Sequence, residues 1–224
     1  MKSYSLDCFV LRSVNYRDSD KIYTLYSKEV GKLSAMAKGV RKITSRRAGS
    51  LDTLNHVTIG VHESQSDFRF ITETRLDESF ENIKKDLKTS AYGYYISELI
   101  FKNVDENEKT EEHFNFILKT LRAINKEPEN VSKYVNFFEK NFMKLLGYQM
   151  SLDKCVFCGK RYESSWPEIR FNYDLGGLCC GDCEGRGVLI KRSEIDMAIK
   201  SYVRQKLGVN FVSLETFGNA VMDK

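Results

Sequence analysis

The chain has 224 residues, 42% of them hydrophobic and 29% charged, which is enough apolar surface for ordinary cores, and its formal net charge is +4. No apolar run reaches the roughly 18 residues that a membrane-spanning helix requires. Met1-Lys2-Ser3-Tyr4 leads straight into a strand-like segment instead of a signal sequence, so a cytoplasmic protein is expected. A net charge this small says little about nucleic acid, and the distribution of charge says more.

In chain order, residues 6–14, 22–27, 32–38, 54–63 and 68–76 are rich in Val, Ile, Thr, Tyr and Phe. They are divided by turn-formers such as Asn15-Tyr16-Arg17-Asp18, Glu29-Val30-Gly31 and Ser64-Gln65-Ser66, and five strands are expected. An antiparallel set of that number removes its exposed edges by closing, and at this size the five-stranded oligonucleotide-binding (OB) barrel is the expected solution, with an SH3-like barrel as its rival. Between Lys32 and Arg47 the basic residues Lys32, Lys38, Arg41, Lys42, Arg46 and Arg47 occur without any acid, whereas residues 77–112 are clearly acidic. Such segregation predicts a positive face on one domain.

The connection 39–49 is bounded by glycines, almost lacks apolar residues and is expected to be mobile. Its cations suit phosphate oxygens, since Arg presents a planar fork and Lys a point charge; the alternative is a solvated loop kept soluble by its charge. Gly39, Lys42 and Thr44 lack the spacing of a nucleotide-phosphate loop, so ATP hydrolysis has no support. Tyr4, Tyr16, Tyr23, Tyr26, Phe68 and Phe70 lie near the cations in sequence. Aromatics on such a face stack on unpaired bases at about 1–3 kcal/mol each, but most strand aromatics are core, and none is assigned to a site.

From about residue 79 the period becomes helical. Ala91, Tyr94, Tyr95, Glu98, Leu99 and Lys102 mark one helix, Phe114, Ile117, Leu118 and Leu121 a second, and Val131, Tyr134, Val135, Phe138, Phe142, Leu145 and Leu146 a third, with polar breaks at 103–109 and 125–130. Phe137, Phe138 and Phe142 read as helix packing.

Cys155-Val156-Phe157-Cys158 and Cys180-Gly181-Asp182-Cys183 form two C-x-x-C knuckles, the pattern of a zinc site in which four thiolates complete a tetrahedral shell. A closed shell is structural, and the histidines His56, His62 and His113 are not placed to make a catalytic one. Disulfides or free buried thiols are the alternative, and Cys179 is a rival of Cys180 as ligand, although Cys180 keeps the two-residue spacing. Five of the six cysteines lie here and Cys8 sits alone in an apolar strand, a pattern of metal binding in a reducing compartment. Between the knuckles, Glu168-Ile169-Arg170-Phe171-Asn172-Tyr173 and Gly176-Gly177 predict a short hairpin whose apolar face is too small to hold itself together without the metal.

After the hook, Ser193 is the expected cap of a helix carrying Ile195, Ala198, Ile199, Val203 and Leu207. Its cations Lys191, Arg192, Lys200, Arg204 and Lys206 either extend the positive surface or are an ordinary solvated face, and residues 211–224 predict one short covering helix. The expected class is an α+β multidomain chain, an N-terminal five-stranded OB-fold barrel followed by a helical domain with an inserted four-Cys zinc finger. Its parts are a DNA-binding domain at 1–78, helical parts at 79–150 and 191–224, and a zinc-binding insertion at 151–190.

Several of these segments together resemble the RecO family of bacterial recombination mediators. They are Ala37-Lys38-Gly39-Val40-Arg41-Lys42 with Ser45-Arg46, Ala91-Tyr92 through Glu98-Leu99, and Leu145-Leu146-Gly147-Tyr148 leading through Leu152-Asp153 to Cys155-Val156-Phe157-Cys158-Gly159. Phe171, Gly176-Gly177-Leu178, Cys180 and Cys183 complete the likeness, which covers nearly the whole chain. The resemblance implies a DNA repair protein without an enzymatic active site. Such a protein binds single- and double-stranded DNA, anneals complementary strands, and with RecR helps load RecA on DNA coated by single-stranded DNA-binding protein, in the cytoplasm at the nucleoid. It further implies phosphate contacts from Lys38, Arg41, Lys42, Arg46 and Arg47, and one structural zinc held by Cys155, Cys158, Cys180 and Cys183. The rivals from other classes are a thiol redox enzyme using one C-x-x-C pair and a zinc-ribbon protein-interaction adaptor without DNA affinity.

Overall fold

The computed structural model describes residues 2–65, 68–106, 111–183 and 185–208, and the chain divides into the units Met1–Val135 and Asn136–Asn210. In the first unit, alternation places Leu6, Cys8 and Val10 of β1 (Lys2–Tyr16), Tyr23 and Leu25 of β2 (Asp20–Ser27), and Leu33, Ala35 and Ala37 of β3 (Gly31–Ala37) in one buried cluster. Val57, Ile59 and Val61 of β4 (His56–Glu63) and Ile71 of β5 (Arg69–Glu78) complete it from the other side. β4 begins later than periodicity predicts because Leu54 takes a left-handed backbone with φ 73°, which ends the extended run before His56.

The expected antiparallel OB barrel is corrected by the strand pairing. Neighbours run β1-β2-β3-β5-β4, β4 pairs in turn with β1, and β3 meets β5 in parallel at the one residue pair Met36↔Phe70. The strands therefore form a mixed five-stranded sheet. The reason is parity: when an odd number of strands each have two neighbours, directions cannot alternate all the way round. One pair must run parallel, and here that pair carries the shortest ladder of the sheet.

β1 is also buried at Phe9, on the face opposite Cys8 and Val10, whereas Ser3 and Ser5 of that face are exposed. Phe9 lies 4.7 Å from the ring of Phe114 on a helix of the same unit. That unit's helices are α1 (Glu81–Lys85), which periodicity did not predict, α2 (Leu87–Asn103) and α3 (Glu111–Lys126). Asp86 caps α2 by accepting the Thr89 N–H at 2.9 Å. Gly93 lets α2 approach closely, since a Cβ there would lie 2.7 Å from Leu54 Cδ1. α4 (Val131–Leu145) spans the division between the units.

In the second unit, Phe138 and Phe142 stack at 5.1 Å as expected for packing residues, whereas Phe137, expected with them, is 59% exposed because it lies one position round the helix from Phe138. The predicted hairpin forms as β6 (Ile169–Asn172) and β7 (Gly177–Cys180), with Phe171 opposite Leu178. A third strand, β8 (Val188–Ile190), pairs with β6. The expected zinc finger is thus a four-cysteine cluster mounted on a three-stranded sheet. Ser193 does not cap α5 (Ile195–Leu207); a preceding 3-10 turn, Arg192–Glu194, takes that place, and the Glu194 carboxylate accepts the Lys191 N–H at 2.8 Å. Residues 211–224, expected as a covering helix, lie outside the described residues. Among the described residues no helix is long and apolar enough to cross a membrane.

Candidate nucleic-acid interface and metal centre

The segment between β3 and β4 is anchored, contrary to the mobile loop expected. Val40 and Leu51 are buried in the sheet core, fastening the segment near both ends. The Arg41 N–H donates to Ser19 O at 2.9 Å, and the Gly39 N–H donates to Asp20 Oδ1 at 2.7 Å. That N–H, with the neighbouring Ser19 hydroxyl, Arg17 and Lys38, holds the Asp20 carboxyl below the usual carboxylate range against the opposing effect of burial. The path between is a series of turns, with the Lys42 N–H on Gly39 O at 3.2 Å and the Ser45 N–H on Lys42 O at 2.9 Å.

Of the five cations assigned by resemblance to phosphate, Lys38, Arg41, Lys42 and Arg46 are exposed, and among the described residues no ion pair engages any of the five. Lys38 lies over the Phe70 ring at 4.5 Å, and Arg41 Nη1 donates to the carbonyls of Asp18 at 3.1 Å and Arg17 at 3.3 Å. Lys32, the remaining member of the basic run, is turned inward and donates to Phe101 O at 2.8 Å.

Arg47 differs from the others. It is half-buried, and its guanidinium donates to Ile71 O at 2.6 Å, Lys38 O at 2.7 Å and Thr72 O at 3.5 Å. These carbonyls lie on β5 and just past β3, across the seam where the ladder is shortest. A planar fork thus bridges two backbones that hardly pair directly. Arg47→Ala is expected to lower stability by roughly 1–3 kcal/mol in a thermal melt, and Arg47→Lys should not restore it, because one ammonium does not reproduce the fork. An unchanged melt in the alanine variant would remove the clasp from the account.

A groove of about 510 Å³ opens between this segment and β1–β2, lined by Asn15, Lys21, Arg41, Lys42 and Ile43 among others. Lys21 and Asp20 carried no signal in the sequence, since a single charge at a strand end has many meanings.

The four cysteines of the hook come together. Their sulfurs all lie within 4.8 Å of one another, with Cys155 Sγ 3.9 Å from Cys183 Sγ and Cys158 Sγ 3.6 Å from Cys180 Sγ. A tetrahedral shell with zinc–sulfur bonds near 2.3 Å has sulfurs about 3.8 Å apart, so this donor set fits such an ion. The spacings are far beyond disulfide length, and all six cysteines are free. Burial acts to raise the Cys155 pKa, but N–H groups of Cys158, Cys180 and Phe157 outweigh it and hold the thiol down at about 6. Burial and the neighbouring thiols push Cys183 up to about 12 and raise Cys180. Four sulfurs this close cannot all ionise without a cation among them.

Adjacent strand residues face opposite ways, and this resolves the two candidates on β7. Cys180 faces the cluster, whereas Cys179 is buried with its sulfur 3.4 Å from Arg186 O and its pKa pushed up to about 11, by burial first. The knuckles are fixed by backbone hydrogen bonds, the Val156 N–H to Leu178 O at 2.9 Å and the Cys155 N–H to Lys160 O at 2.8 Å. Gly177 is required because a Cβ would lie 2.3 Å from Val156 Cγ1. Neither pair opens an α-helix, which the redox rival needs.

A mixed sheet bearing an anchored, exposed cationic segment, in a chain that also carries a four-cysteine cluster able to hold a metal, defines a class of protein with a basic surface and a candidate metal site. Comparison with known sequences gives the family. Residues 1–80 match the description "Recombination protein O N terminal" and residues 84–208 "Recombination protein O C terminal", and the chain belongs to the RecO family. Among its relatives, the DNA repair protein RecO of Caldanaerobacter subterraneus subsp. tengcongensis is 33% identical over 82% of this chain and 72% of its own. That of Symbiobacterium thermophilum is 30% identical over 84% and 75%, and that of Thermoanaerobacter sp. 27% identical over 98% of both chains.

Proposed function

We propose that this chain is a DNA repair and recombination mediator that binds single- and double-stranded DNA and makes or breaks no covalent bond. The observation that carries this reading is the exposure of Lys38, Arg41, Lys42 and Arg46 on one anchored segment, with no carboxylate paired to them among the described residues. Phosphate neutralisation by such cations lowers the repulsion between two strands and so favours their annealing. Arg47 serves the same surface from behind by holding the segment on the sheet. One zinc ion in the set Cys155, Cys158, Cys180 and Cys183 stiffens the hook and takes no part in chemistry, since a four-thiolate shell leaves no position for water. In the cytoplasm, RecR is the proposed partner in loading RecA on DNA coated by single-stranded DNA-binding protein. The family membership supports this reading.

The test is the annealing of two complementary oligonucleotides, one fluorescent and one quenching. Acceleration by the protein is expected at low salt and its loss at high salt. A protein that neither accelerates annealing nor binds either strand would fit the protein-interaction adaptor instead.

A further inference from the structure

We propose that Ile43 is an apolar wedge that enters between neighbouring bases of bound DNA at a single-strand/double-strand junction, and that the groove beside it receives the base so displaced. This rests on the DNA-binding reading above and adds a deformation of the ligand to it. Ile43 is 104% exposed, while the next most exposed large hydrophobic among the described residues is Met197 at 70%. Scattered apolar side chains on a surface are usually part-covered by neighbours; this one is covered by nothing.

Its neighbours in sequence are Arg41, Lys42, Thr44 and, slightly further on, Arg46, all exposed. An apolar point flanked in sequence by exposed cations does not suit an apolar protein surface, because docking would desolvate the charges. It suits a ligand that is anionic outside and apolar within, which is the make-up of stacked bases between phosphate backbones. Apolar side chains inserted at base steps by cationic proteins unstack and kink nucleic acid in this way.

The mount is suited to the task. The turn carrying Ile43 is closed by the Ser45 N–H on Lys42 O at 2.9 Å, and its approach is fixed by the Arg41 N–H on Ser19 O at 2.9 Å. A wedge must resist being pushed aside, and a freely moving loop would not. Ile43 also lines the groove of about 510 Å³, whose wall includes Ser13, Asn15, Lys21, Thr53 and Asp52, the last with its carboxylate paired to Lys84 at 3.0 Å. Hydroxyl and amide groups there offer hydrogen bonds to a base edge, and Lys21 offers a charge to its phosphate.

The experiment uses a junction oligonucleotide with 2-aminopurine at the first paired position, titrated with the full chain while anisotropy of a distant dye reports binding. The wild type is expected to raise 2-aminopurine fluorescence severalfold at saturation. Ile43→Ser should saturate the same DNA without that rise, and Ile43→Phe should keep it. Because the side chain is fully exposed, neither variant is expected to disturb the fold, which a thermal melt checks. A full rise with Ile43→Ser, or no rise with the wild type at saturating anisotropy, would overturn the wedge and leave DNA binding intact. No anisotropy change at all would overturn the DNA reading and the wedge with it.

Discussion

Alanine at Arg41, Lys42 and Arg46 together is expected to weaken binding to a single-stranded oligonucleotide by on the order of a hundredfold or more at about 50 mM salt. The salt slope should flatten by about 2, because each phosphate contact on a single strand contributes about 0.7 to it. The loss should be the same for unrelated sequences, since phosphate carries no sequence information. Stability should hardly change, because these side chains are exposed and unpaired by carboxylates among the described residues, and only Arg41 donates to backbone. The contrast with Arg47 is the useful part: there the substitution should lower the melting temperature. Wild-type affinity in the triple variant would take this segment out of DNA recognition.

Removal of the zinc proposed for the four-cysteine cluster should have the other large effect. Structural zinc contributes on the order of 10–16 kcal/mol to small domains that fold around it. Cys155→Ser or Cys180→Ser is accordingly expected to lose the bound metal and expose the hook to protease. Residues 151–190 should be cut first, while the sheet of the first unit keeps its affinity for DNA. Cys179→Ala is the control, since that sulfur faces away from the cluster, and it should retain one equivalent of zinc by elemental analysis. Metal-free protein with a protease-resistant hook would contradict the structural role, and loss of metal from the Cys179 variant would contradict the assignment of ligands.

The parts legible in the sequence were those written in local pattern. Alternation marks the strands through Leu6, Cys8 and Val10 or Val57, Ile59 and Val61, and the C-x-x-C spacing marks the four sulfurs that the structure brings within 4.8 Å. The parallel β3–β5 seam was not legible, because neighbour order depends on how distant strands meet, and Met36 opposite Phe70 leaves no periodic trace. The same holds for Arg47. As a residue type in a basic run it reads as a phosphate contact, and only the carbonyls of Lys38 and Ile71 beside it reveal a clasp. The segment looked mobile because glycines bound it, while Val40 and Leu51, its anchors in the core, are too few to make a pattern. β8 was missed for a related reason: three residues, with Val188 57% and Leu189 58% exposed, show neither alternation nor burial.

The most direct measurement is the affinity of the intact protein for a labelled single-stranded oligonucleotide across a salt series. The four cations proposed to contact phosphate predict that the logarithm of the association constant falls linearly with that of salt concentration, with a slope of about −3. An affinity that ignores salt, or no binding at low salt, would contradict the electrostatic account.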